Sequence, residues 1–243
     1  MLEYMILPLI RFLIRGFLDR LRGMVDPFLY YFRVLCVKSA DKSRIKQLIY
    51  AAQKKYSSSL AGKSFLYVYG TSYFEVVFET ACFKHLTGVD SYISAKDFYK
   101  RAQKGTLAEN QILFNARYPK RTALKKLSVL SDLDAITNSL VCVLYDIKAN
   151  TATYKLGVTN LKFTICLAQN SINNTARSYY VPQSLRVNDN SVANSADGDF
   201  VDFIFVKDAA NTLYTQISYQ ADDKEIPNSV YHLIDESFYL VKL

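Results

Sequence analysis

Two runs of aromatic and β-branched residues, separated by a short turn, constrain the fold of this chain more than any other feature. The first run is Ser64-Phe-Leu-Tyr-Val-Tyr69, the turn is Gly70-Thr71-Ser72, and the second run is Tyr73-Phe-Glu-Val-Val-Phe78. Such runs around a glycine-containing turn predict an antiparallel hairpin. Phe65, Tyr67 and Tyr69 would share one face, either as core, which is the commoner role, or as a surface for stacking nucleobases.

Helical spacing appears on both sides of this hairpin. Apolar residues recur every three or four positions over residues 41–60, which predicts a helix that Ser39 or Asp41 would cap. After the hairpin, Ser94 and Asp97 match a capping box at the start of a helix that Gly105 would end. Pro119 suits the first turn of a further helix. The apolar stripe of that last helix comprises Leu124, Leu127, Val129 or Leu130, Leu133 and Ile136.

The last hundred residues are rich in short β-type runs. These runs are 140–147, 153–158, 161–167, 200–207 and 213–219. Strands that follow helices predict an α+β fold, in which an antiparallel sheet is packed by N-terminal and middle helices. Residues 169–199 are dominated by Asn, Ser, Asp and Ala, which indicates a long loop, either a functional loop or a mobile insertion.

The N-terminal residues differ in character from the rest. Residues 4–22 form a basic amphipathic pattern with arginines at helical spacing, and Asp26-Pro27 would break that helix. The pattern fits a helix in a membrane interface, a helix packed on the main domain or a partner, or a segment upstream of the true start codon, with Met24 one candidate start. We therefore expect an extension over residues 1–38 and one α+β domain over residues 39–243.

Charge and cysteine content narrow the classes of function. Residues 41–130 hold sixteen lysines and arginines against six aspartates and glutamates, within a chain of net charge +8. This basic block fits either a polyanion-binding face or a solvated helical surface. The cysteines lack zinc-ribbon or thioredoxin spacing. Cys142 and Cys166 lie in apolar contexts that indicate buried, reduced thiols, so we expect a reducing cytoplasm and no metal or cofactor.

The segment Phe83-Lys84-His85-Leu86-Thr87-Gly88-Val89 carries the clearest chemical signal. It contains one of only two histidines and closes the strand-like run of the hairpin. A histidine beside Lys, Thr and Gly could move protons at neutral pH and hold an anion. Alternatively, His85 is a structural histidine whose ring nitrogens are satisfied inside the fold.

The combined pattern resembles the phage- and mobile-element-associated barnase–EndoU–colicin–RelE-like nucleases, most closely their fourth group. The resemblance covers about residues 40–220. The matching features are the hairpin, Phe83-x-His85-Leu-Thr-Gly88, the helix with Phe98-Tyr99, and Tyr180-x-Pro182-x-Ser184-Leu185. It implies a small α+β nuclease that cleaves RNA without a metal by attack of the 2′-hydroxyl on the adjacent phosphate. A toxin-like protein of a phage or mobile element would fit.

This resemblance implies roles for several residues. His85 would be the general acid or base, and Thr87, Tyr180 and Ser184 would donate hydrogen bonds. Our own chemical inference adds Lys84 and Arg186 as phosphate stabilisers. The basic residues at the start of the Leu-rich helix would bind RNA; they are Lys120, Arg121 and Lys125.

The second acid or base is not evident from the motifs, and Arg177 and His232 are reserve candidates. A cognate inhibitor and contact of residues 1–38 with a membrane surface are further partners that this interpretation allows. The alternative function is a module that binds nucleic acid or protein without cleaving it.

Overall fold

The structure is a computed structural model that describes residues 27–149, 152–172, 175–188 and 193–240. The amphipathic pattern at residues 4–22 and the start-codon alternative lie outside the described residues. The chain divides into two compact units, Met1–Arg44 and Ile45–Leu243, and the fold described below is that of the second unit. Within the described ranges, no helix combines the length and apolarity required to cross a membrane.

Four α-helices and nine strands make up the described part of the chain. The helices are α1 Pro27–Ser59, α2 Cys82–Thr87, α3 Ala95–Gln103 and α4 Lys120–Leu130. The strands are β1 Lys63–Tyr69, β2 Ser72–Val77, β3 Cys142–Ala149, β4 Ala152–Thr159, β5 Phe163–Ile172, β6 Thr175–Val187, β7 Ala196–Phe200, β8 Phe203–Asp208 and β9 Gln216–Gln220. Short 3₁₀ turns occupy Glu109–Gln111, Leu133–Thr137, Asn228–Val230 and Glu236–Phe238.

Helix α1 begins earlier than the sequence pattern indicated. It starts at Pro27, so the prediction of a cap at Ser39 or Asp41 is wrong. Proline is well tolerated in the first turn of a helix, where its missing N–H is not needed. No proline or glycine interrupts the chain between Pro27 and Ser59, so the helix continues through both proposed capping residues.

The strands form one mixed sheet in the order β7-β3-β4-β5-β6-β2-β1-β8-β9. The aromatic hairpin is confirmed, with Tyr69 opposite Ser72 at its turn. Most neighbouring strands are antiparallel, and β2 and β6 run parallel. A large, mostly antiparallel sheet with a few helices is the α+β fold expected from the sequence.

Residues 169–199 are not the long loop that their composition indicated. β5 extends to Ile172, and β6 and β7 occupy most of the remaining described residues in this stretch. Asn and Ser have a low intrinsic propensity for strands. In β6 the backbone N–H and C=O groups nevertheless find hydrogen-bond partners along β5, which stabilises the strand. The Tyr-Pro-Ser-Leu motif therefore lies on a strand inside the sheet rather than on a loop.

The two faces of the sheet have separate apolar clusters. Phe65 and Tyr67 face the main core, where residues of all four helices pack, which confirms the core interpretation of the aromatic face. Leu66 and Val68 point the other way and pack with Phe203 and other residues of the C-terminal part. β1 is buried on both sides because consecutive side chains of a strand point to opposite faces.

The predicted Ser94 cap at the start of α3 is present, but the Asp97 carboxylate bonds to the Ser94 hydroxyl and not to the Ser94 backbone N–H that a full capping box requires. The Ser94 hydroxyl accepts a hydrogen bond from the Asp97 backbone N–H at 3.0 Å and donates one to the Asp97 carboxylate at 2.7 Å. We expect Ser94→Ala to lower the free energy of unfolding by about 1 kcal/mol, because the N–H loses its partner. Thermal unfolding followed by circular dichroism measures this. Ser128→Ala, which removes an exposed hydroxyl within α4, is the control and should leave stability nearly unchanged.

Candidate active site

His85 lies on a short helix and not at a strand end. β2 ends at Val77, and α2 begins five residues later at Cys82. Phe83 and Leu86 are three residues apart and both are fully buried, so one side of α2 is fixed in the main core. Gly88 ends the helix with φ +70°, a left-handed conformation that glycine adopts without strain. His85 itself is exposed on the opposite side of the helix.

The second motif is brought next to this helix by the sheet. β6 runs parallel to β2, with Glu75 beside Tyr179 and Val76 beside Tyr180. β2 then ends, the chain turns into α2, and α2 packs against β6. The elements that carry His85 and the Tyr-Pro-Ser-Leu motif are therefore neighbours, although 95 positions separate His85 from Tyr180 along the chain.

Helix α4 completes the arrangement by packing on both α2 and β6. Its approach is close at Gly88, where an added Cβ atom would lie 2.7 Å from Cδ of Lys126. The Lys126 stem thus covers the end of α2. Lys120 is half-buried, whereas Arg121 and Lys125 are exposed. The basic helix is adjacent to the His85 helix, as a phosphate-binding role would require.

The surroundings of His85 favour its neutral form. Partial burial removes some of its hydration, and the positive charges of Lys84 and Lys126 add to that effect, so the pKa of His85 falls below its ordinary value of 6.5. A neutral imidazole at pH 7 can accept a proton from a substrate hydroxyl. The same two ammonium groups provide positive charge beside the ring for an anionic substrate.

Lys84 is fixed by the loop that follows α2. Its ammonium group donates hydrogen bonds to the carbonyl oxygens of Ser91 at 2.8 Å and Ile93 at 3.0 Å. These bonds hold the charge next to His85 and also tie α2 to the start of α3. Lys84 therefore has a structural role in addition to any contact with substrate.

Thr87 does not fit the role of a substrate hydrogen-bond donor in this conformation. Its side chain is fully buried. Its hydroxyl donates to the Lys84 carbonyl oxygen at 2.7 Å and accepts from the Val89 N–H at 3.2 Å. Both bonds serve the C-terminal end of α2, where backbone groups lack helical partners. The threonine of the His-Leu-Thr-Gly motif thus shapes the turn after His85.

An irregularity in β6 divides the residues of the second motif between two faces of the sheet. Tyr180 is half-buried on the helix-covered face, where its ring meets Phe74 edge to face at 6.0 Å. Period-two alternation would place Ser184 on that face too. The register shifts between the pairs Leu167–Pro182 and Cys166–Ser184, so Gln183 is an extra residue and Ser184 points the other way.

Ser184 and Arg186 therefore share the face opposite Leu185. Ser184 is 8% exposed, and Leu185 is fully buried in the main core. Arg186 is half-buried, and its guanidinium lies 5.8 Å from the centre of the Tyr154 ring, within the range of a cation–π contact. The helix and the strand that carry the two motifs are therefore neighbours. Tyr180, however, lies on the opposite face of β6 from Ser184 and Arg186.

A comparison with protein-family models gives one match. The family described as phage-Barnase-EndoU-ColicinE5/D-RelE like nuclease4 matches residues 48–223, more than half of the chain. The chain belongs to this family. The match contains every residue of the predicted site and places the chain among nucleases that act on nucleic acid. Searches of curated proteins and of solved structures found no match.

The two reserve candidates of this nuclease lie outside the His-Leu-Thr-Gly motif, on other segments of the chain. Arg177 is exposed near the start of β6. His232 is exposed in the C-terminal part, beyond the family match, and its ring lies 6.2 Å from that of Tyr73.

Metal-binding groups and thiols are two further classes of reactive side chain in this nuclease. Across the described ranges, no group of three or more His, Cys, Asp or Glu side chains is arranged to hold a metal ion. Cys166 is buried as expected, but Cys142 is only half-buried because its strand lies next to the edge strand β7.

Lys126 belongs to the basic start of α4 that the sequence marked as anion-facing, but it was not among the predicted site residues of this nuclease. Its importance arises from the contact of α4 with α2, for which the sequence has no local signal. We expect Lys126→Gln to raise the pKa of His85 towards 6.5, because one of the charges that oppose protonation is removed. NMR titration of His85 in the wild type and in the variant measures this directly. An unchanged or lowered pKa of His85 would contradict the arrangement.

Proposed function

We propose that this nuclease is an endoribonuclease that cleaves RNA without a metal ion, with His85 as the general base. The observation that carries the proposal is the position of His85. It is an exposed imidazole whose pKa is lowered by partial burial and by the charges of Lys84 and Lys126, on a helix that packs against the strand with the second family motif. Family membership supplies the nucleic-acid substrate.

The chemistry requires few groups. His85 takes the proton of a ribose 2′-hydroxyl, and the 2′-oxygen forms a bond to the adjacent phosphorus. The bond from phosphorus to the 5′-oxygen breaks, which leaves a 2′,3′-cyclic phosphate. The departing 5′-oxygen takes a proton from a second donor, for which Tyr180 on β6 is our candidate. Lys126 and Lys84 stabilise the negative charge of the crowded phosphorane, as fixed cations do in other phosphoryl-transfer sites.

The basic face of α4 supports RNA as a polyanionic substrate. Arg121 and Lys125 are exposed on the helix that packs beside α2, and Lys120 lies at its first turn. Cations that contact phosphates release condensed counterions, so binding through this helix should weaken steeply as salt concentration rises. The family description also names phages, which favours a phage or mobile-element setting for the protein.

Cleavage of RNA and DNA under chelating conditions tests the proposal. Purified full-length protein is incubated with labelled RNA and with DNA of the same sequence, in EDTA and in Mg²⁺. We expect RNA to be cut equally in both solutions and DNA to remain intact, because DNA lacks the 2′-hydroxyl. Cleavage that requires Mg²⁺, or equal cleavage of DNA, would contradict it. Salt-sensitive RNA binding without cleavage would instead favour a binding module.

A further inference from the structure

The sheet face opposite the helices carries a group of polar and aromatic side chains near the start of β6. Tyr73 and Glu75 alternate on β2 with Phe74 and Val76, which are buried in the main core. Since alternate side chains of a strand point to opposite faces, Tyr73 and Glu75 point away from the helices. β2 lies in the interior of the sheet, between β6 and β1, yet the Tyr73 side chain is 39% exposed.

Two further rings join Tyr73 on this face. Tyr179 is the neighbour of Glu75 on β6, and the next residue, Tyr180, faces the main core, so Tyr179 points to the face opposite the helices. His232 comes from the C-terminal part and meets Tyr73 edge to face at 6.2 Å. Three rings from three segments thus lie on one side of the sheet, where their flat faces could accept other rings.

The polar groups among these rings are held in place. Asn170 donates a hydrogen bond to the Tyr179 hydroxyl at 2.8 Å, which fixes the tyrosine tip. The Glu75 carboxylate lies 3.9 Å from the ammonium group of Lys207, and the side chain keeps 25% of its exposure. A carboxylate can accept hydrogen bonds from the amino and imino groups of a nucleobase edge. Ring faces next to such an acceptor match the stacking and edge contacts by which proteins bind unpaired bases.

This face is continuous with the second family motif. Tyr179, Ser184 and Arg186 lie on the same side of β6. The five residue steps from Tyr179 to Ser184 span about 16 Å of strand, enough for two or three nucleotides of an extended chain. An RNA strand that passes over Tyr73 and Tyr179 would therefore continue along β6 towards Ser184 and Arg186, on the face of the sheet opposite the His85 helix.

We infer that Tyr73, Tyr179 and His232, with Glu75 between them, form a platform that binds unpaired RNA bases and selects single-stranded over duplex RNA. The inference rests on the proposed function for the identity of the nucleic acid. Duplex RNA would not use this platform because its bases are already paired and stacked.

Binding to a non-cleavable RNA tests this platform. Fluorescence anisotropy is measured for the full-length protein with a 2′-O-methyl oligonucleotide, single-stranded and annealed to its complement. We expect the single strand to bind more tightly. Tyr73→Ala should lose roughly 5- to 100-fold in affinity for it, the loss typical of one stacked base, and His232→Ala should lose affinity in the same direction. Tyr73→Phe, which keeps the ring, should bind like the wild type.

The controls separate this inference from the proposed nuclease activity. Phe200→Ala removes an aromatic ring that is 69% exposed on the edge strand β7, and it should leave affinity unchanged. Equal binding of single strand and duplex, or wild-type affinity of Tyr73→Ala, would overturn the platform even if the protein cleaves RNA. Tyr73-dependent binding by a protein that cleaves no RNA would refute the proposed activity and leave the platform standing.

Discussion

His85→Ala should reduce RNA cleavage by about 10²- to 10⁴-fold, the usual contribution of a general acid or base. The imidazole is exposed and the charges of two lysines help to lower its pKa, whereas Thr87 is buried and bonded to the backbone. No other side chain of the His-Leu-Thr-Gly motif can accept a proton at neutral pH. The loss should appear in kcat measured in EDTA under saturating RNA.

Suitable controls make this result specific. His85→Gln keeps a polar side chain of similar size without the titrating group, and it should lose as much activity as the alanine variant. Lys162→Ala, which removes an exposed charge in the turn between β4 and β5, should cleave normally. Circular dichroism melting curves should show that the His85 variants are folded. A His85→Ala rate equal to that of the wild type would place the general base elsewhere, with His232 as the next candidate.

Phe83→Ala should lower the free energy of unfolding by about 3–5 kcal/mol, the largest stability effect that we expect. The Phe83 ring is fully buried two residues before His85. Its centre lies 5.4 Å from that of Tyr56 on α1, and 5.8 Å and 6.3 Å from those of Tyr99 and Phe98 on α3. Truncation would open a cavity among three helices and remove the residue that anchors α2.

Urea unfolding followed by far-UV circular dichroism measures this loss, since the chain has no tryptophan to report by fluorescence. Tyr92→Ala is the matched control, because that ring is 64% exposed between α2 and α3. It should change stability by less than about 0.5 kcal/mol. If Phe83→Ala lost no more stability than Tyr92→Ala, the described packing of α2 would be wrong.

Local signals predicted much of this fold. The aromatic hairpin, the Ser94 cap of α3 and the glycine after α3 each depend on neighbouring residues, and each is present. The helical character of α2 could also have been found, because Phe83 and Leu86 have helical spacing and Gly88 suits a helix end. The strand-like run before them concealed that pattern.

Non-local pairing explains what the sequence could not show. β6 was unrecognised because its first residues are polar, and its strand conformation depends on β5 and on a parallel contact with β2. The extra residue Gln183, which turns Ser184 away from Tyr180, has no signature in the local sequence. The contact between Lys126 and Gly88 likewise depends on how α4 is placed by the sheet.

The most direct test of the account replaces a single 2′-hydroxyl in an RNA substrate. A short RNA cut at one position is compared, in EDTA, with the same RNA carrying a 2′-deoxynucleotide immediately 5′ of the cleaved phosphate, and the product ends are identified by mass spectrometry. We expect the unmodified RNA to give a 2′,3′-cyclic phosphate and a 5′-hydroxyl, and the modified RNA to resist cleavage at that position. Cleavage of the modified RNA at the same phosphate, or products with 5′-phosphate ends, would contradict attack by the 2′-hydroxyl and the role assigned to His85.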